Sequence, residues 1–94
     1  MRLIDFKLST ADLWQGLPLY LETSKHARIA INALQLHDHQ LILIPAARQH
    51  PLTLDQFNAR TRQIGGQTQL YVQANPTPLR LFGYRIENQQ LLLG

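Results

Sequence analysis

Most apolar runs in this chain are too short for anything but a strand, and polar or helix-breaking residues separate them. Such runs predict strands at roughly 2 to 8, 18 to 22, 28 to 36, 40 to 45, 69 to 73, 79 to 87 and 90 to 93. His37-Asp38-His39-Gln40 and Glu87-Asn88-Gln89-Gln90 interrupt apolar stretches with an Asp or Asn that tolerates turn geometry, so each predicts a tight hairpin. Asn75-Pro76-Thr77-Pro78 predicts a loop, because its two prolines cannot donate to a ladder.

Two stretches predict helices. Thr53 precedes Asp55 and Gln56 in a capping-box pattern, and Leu54, Phe57, Thr61 and Ile64 recur at helical spacing. This places a long helix from about Leu54 to Ile64, closed by Gly65-Gly66. Ser9-Thr10-Ala11-Asp12 offers a similar start for a short helix that Gly16 and Pro18 end, with Leu13, Trp14 and Leu17 covering the sheet.

An internal repeat appears when Leu19–Leu43 is laid over Leu70–Leu93. Leu19-Tyr20-Leu21 matches Leu70-Tyr71-Val72, and after one deleted loop position Ile29-Ala30-Ile31 matches Leu79-Arg80-Leu81. Leu36 to Leu41 then matches Ile86 to Leu91, and upstream Ser9–Trp14 resembles Leu52–Phe57. In both long strands the apolar parity changes partway, which predicts a bend at Ala33 and at its counterpart Gly83. A helix over 25 to 36 also fits the spacing of Ala27, Ala30, Ile31 and Leu34, but Pro78, Gly83 and the aromatics of the matched segment favour strand.

These elements predict an α+β fold: a small, mostly antiparallel sheet of short strands with one long and one short helix, built by duplication of an αββ-like unit. Ninety-four residues suit a single domain, with repeat-like halves at about 1–45 and 41–94 sharing the strand at 40 to 45. With no cysteine, stability has to come from packing and hydrogen bonds, and the composition fits a reducing compartment. Asp5 and Lys7 interrupt the first apolar stretch where a secretory signal needs continuity, and no run approaches membrane-spanning length. A cytoplasmic protein without a membrane partner is expected.

The net charge of +3 is unevenly spread. Residues 1 to 38 balance, whereas Arg48, Arg60, Arg62, Arg80 and Arg85 face only Asp55 and Glu87 in the remainder. Arg80, Phe82, Tyr84 and Arg85 interleave cations with rings and are the candidate nucleic-acid contacts. On a regular strand, however, Arg85 points away from the other three. Tyr20 and Tyr71 occupy matched positions flanked by aliphatics of opposite parity, which turns both rings outward and makes them the candidate interface residues. An unpaired edge at the 18 to 22 strand or the C-terminal strand would suit self-association. His37 and His39 are weak metal candidates, since nothing in a turn aims them at one ion. No nucleophile motif, phosphate loop or carboxylate cluster marks a catalytic site, and no cofactor is implied. The expectation is a non-catalytic protein-interaction module or small subunit of a homodimer, with nucleic-acid binding through the basic second half as the alternative.

Overall fold

The computed structural model describes residues 1–94. Two short helices, α1 (Leu3–Thr10) and α2 (Leu54–Arg60), accompany seven strands: β1 (Leu19–Glu22), β2 (Arg28–His37), β3 (Gln40–Pro45), β4 (Gln69–Val72), β5 (Leu79–Arg80), β6 (Tyr84–Glu87) and β7 (Gln90–Leu93). The strands form one mixed sheet in the order β5-β4-β3-β2-β1-β7-β6. β1 with β7 and β3 with β4 are parallel pairs, and the other four pairs are antiparallel.

Chain connectivity curls this sheet into a half-barrel. β5 and β6 are its two outer edges, yet only residues 81 to 83 separate them in sequence. Four Cα steps reach at most about 14 Å, so the opposite edges have to approach one another. The inner face and both helices enclose a core that includes Leu3, Phe6, Leu54, Phe57 and Leu70, each no more than 1% exposed. Phe6 and Phe57 meet edge to face at its centre, with ring centroids 5.2 Å apart.

The mostly antiparallel sheet with one long helix is overturned. The helices span eight and seven residues, and two of the six strand pairs are parallel. The segment expected as the first strand, 2 to 8, lies almost wholly in α1. Its buried residues are Leu3, Phe6 and Thr10, a helical stripe, while Leu8 points to solvent. Thr10 ends this helix instead of starting one, and its hydroxyl donates back to the Phe6 carbonyl at 2.8 Å. The resemblance of Ser9–Trp14 to Leu52–Phe57 therefore fails, and with it the αββ-like unit that shares the strand at 40 to 45.

The second helix begins as expected: Thr53 Oγ1 accepts from the Gln56 N–H at 3.2 Å, and the Thr53 N–H donates to Gln56 Oε1 at 3.1 Å. It ends at Arg60, and Ile64 follows in a turn. Residues 28 to 37 form a strand, with the register shift between Ile31 and Ala33. The expected long strand at 79 to 87 is divided, because Leu81–Gly83 leave the ladder. β1 and β7 are interior, so the strands expected at the edges are paired on both sides.

On the outer face, Arg85 joins Glu22 of β1 at 2.5 Å and Glu87 of β6, and Arg28 of β2 reaches Glu87 at 2.7 Å. Hydrogen bonding to Arg85 holds the Glu22 carboxyl below its ordinary range, and Arg85 followed by Arg28 does the same for Glu87. Carboxyls lowered in the native state stabilise it above their ordinary value of 4.5, and that contribution is lost as pH falls through the lowered native values.

Two outcomes follow from this packing. Phe57→Ala should cost about 3 to 5 kcal/mol in denaturant unfolding, since the ring is fully buried against Phe6. Glu22→Gln should reduce the acid-dependent fall in the unfolding midpoint below pH 4.5, and an unchanged acid profile would show that the Glu22–Arg85 pair makes no pH-dependent contribution to stability.

Candidate binding cleft

The break between β5 and β6 opens a cleft of about 470 Å³ at the ends of β1 and β4. Leu21, Val72, Leu79, Leu81 and Phe82 contribute its apolar lining. Pro78 immediately precedes β5 and Gly83 immediately precedes β6, and neither residue holds a ladder position. Leu81 still donates its N–H to the Leu70 carbonyl at 2.9 Å and buries its side chain. The chain turns outward at the next residue, and Phe82 is 81% exposed, with Leu79 60% exposed beside the same cleft.

Arg80 stands at the cleft with its guanidinium 5.5 Å from the Phe82 ring centroid. It donates to Gln69 Oε1 at 3.0 Å and forms no salt bridge, unlike Arg85. The site thus combines apolar walls, an exposed ring and a cation without a carboxylate partner, since Glu22, which also lines the cleft, is held by Arg85. That combination suits an apolar group with an acidic neighbour.

The four candidate nucleic-acid residues are divided by this geometry. Arg80 and Phe82 stay together and exposed, whereas Tyr84 packs edge-on against Phe6 with centroids 5.5 Å apart and donates to Ser9 Oγ at 3.0 Å. Arg85 is held by Glu22 and Glu87. Tyr20 and Tyr71 are half-buried on interior strands, and the burial of Leu19, Leu70 and Val72 turns both rings to the outer face. In the ladder Tyr20 lies between Ala30 and Leu92, and Tyr71 between Ile42 and Arg80. His37 and His39 flank an exposed turn at Asp38, and the structure gathers no group of three His, Asp or Glu side chains suited to a metal ion.

Sequence reasoning missed Leu21, Val72 and Leu79 as cleft residues. Gly83 and the parity change were the available signals, but they were consistent with a continuous bent strand. No helix is long and apolar enough to cross a membrane. No protein-family model matches the chain, and neither the curated proteins nor the solved structures contain a match.

Proposed function

We propose that this protein is a non-catalytic interaction module whose cleft receives an apolar side chain of a protein partner, with an acidic residue of that partner meeting Arg80. The observation that carries this reading is the exposed Phe82–Leu79 surface beside an arginine that has no carboxylate of its own. Exposed apolar surface of this kind marks contact sites and ligand-binding grooves. The cysteine-free composition fits a cytoplasmic setting. A small homo-oligomeric subunit is the related reading, supported by the outward Tyr20 and Tyr71.

Nucleic-acid binding keeps one specific support, the exposed Arg80–Phe82 pair, since a ring backed by guanidinium can stack on a base. The commitment of Tyr84 and Arg85 to internal contacts weighs against it.

Selection from a displayed library of random peptides tests the preferred reading. Peptides recovered on the native protein should pair an apolar residue with Asp or Glu, and Phe82→Ser or Arg80→Gln should weaken them about tenfold, the equivalent of about 1.4 kcal/mol. Peptides that bind Phe82→Ser as well as the native protein would contradict a role for the cleft. Binding to mixed RNA that falls steeply with added salt and is lost in Arg80→Gln would favour the second reading instead.

A further inference from the structure

We infer that the chain is two copies of one α-β-β-β unit, residues 1–44 and 52–94, interlocked about an approximate twofold axis that passes between Phe6 and Phe57. The equivalence begins in the helices. Leu3, Phe6 and Thr10 of α1 correspond to Leu54, Phe57 and Thr61 of α2 and its cap, a constant separation of 51 residues. The same separation relates Leu19-Tyr20 to Leu70-Tyr71, so the copies align without a gap from the helix through the first strand. All five of these pairs are identities. One residue fewer in the loop before Leu79 sets the separation to 50 thereafter, which relates Ile31, Leu41 and Leu43 to Leu81, Leu91 and Leu93. Six such pairs account for twelve of the fifteen buried core residues.

Hydrogen bonds repeat with the copies exchanged. Thr10 and Thr61 each donate from the hydroxyl to the carbonyl four residues back, both at 2.8 Å. At the start of α1, the N–H groups of Leu3 and Ile4 donate to Thr68 and Gly66 in the loop after α2. At the start of α2, those of Leu54 and Asp55 donate to Leu17 and Gln15 in the loop after α1, which are the equivalent positions. Leu70 donates to the Met1 carbonyl as Leu19 donates to that of Leu52. The isolated bridges Arg2 with Gln69 and Thr53 with Pro18 are a further exchanged pair.

The strand registers follow the same rule. Between the copies Leu19 pairs with Leu91 as Leu70 pairs with Leu41, and within each copy Tyr20 pairs with Ala30 as Tyr71 with Arg80, and Leu36 with Leu41 as Ile86 with Leu91. Contacts in which i meets j while j's counterpart meets i's are the signature of an isologous interface, here contained within one chain. The copies depart at the middle strand. In the first copy Ile31 pairs with Pro45, and Ala46 donates to the Ala30 carbonyl, while the second copy opens at Leu81–Gly83. The cleft therefore lies where the two copies differ in strand pairing. The equivalence itself stands independently of any ligand for the cleft.

A helix exchange in the full chain tests this. Replacing Leu54–Thr61 with the sequence of Leu3–Thr10 should leave a single cooperative unfolding transition, because Leu3, Phe6 and Thr10 would land on the sites of their counterparts. Placing the same eight residues one position later, over 55 to 62, should abolish that transition by rotating the stripe away from the core. An in-register graft that does not fold, or a displaced graft that unfolds as cooperatively as the in-register one, would overturn the inference.

Discussion

Neither half of this chain can satisfy its own backbone, and the rest of the structure depends on that constraint. The N–H groups at the start of each helix have no partners within the helix, and those of the buried Leu3 and Leu54 would cost about 1 to 3 kcal/mol each if left unpartnered. Carbonyls from the loop after the opposite helix accept them. The same exchange recurs in the sheet, where β1 lies beside β7 and β4 beside β3. Each half thus supplies hydrogen-bonding partners that the other lacks, and the two phenylalanines meet where the halves join.

Reciprocity also explains the shape and the position of the cleft. A single run, Leu79–Glu87, pairs with β4 at its beginning and with β7 at its end, so the sheet curls until its edges face one another. The matching run in the first half remains one strand, with its irregularity confined to a shift between Ile31 and Ala33. In the second half Leu81–Gly83 leave the ladder between the two pairings, and Phe82 turns out of the gap. Short edges and the charged residues of β6 leave little ladder for an incoming strand, so side-chain contact at the cleft is a better route to association than strand addition.

The sequence disclosed elements whose signals are local. β3, β4 and β7 are short apolar runs bounded by turn residues, and the Thr53 capping box lies within four residues. α1 was hidden because its capping carbonyls, Gly66 and Thr68, lie more than sixty residues away. Ile4, Phe6 and Leu8 meanwhile alternate as a strand would. The parallel pairs were hidden for the same reason, since antiparallel hairpins announce themselves in their turns and parallel neighbours do not. At the site, the exposed Arg80 and Phe82 were legible from their composition. That Arg85 is neutralised by Glu22, sixty-three residues away, was not.

Native-state amide hydrogen exchange tests the interlocking of the halves most directly, residue by residue. Leu3, Ile4 and Leu19 in the first half and Leu54, Asp55 and Leu70 in the second donate the reciprocal bonds. If each half depends on the other, all six amides should exchange only through global unfolding, with one common free energy. A set from one half that exchanges through a distinctly lower-energy opening, while the set from the other half keeps full protection, would contradict the account.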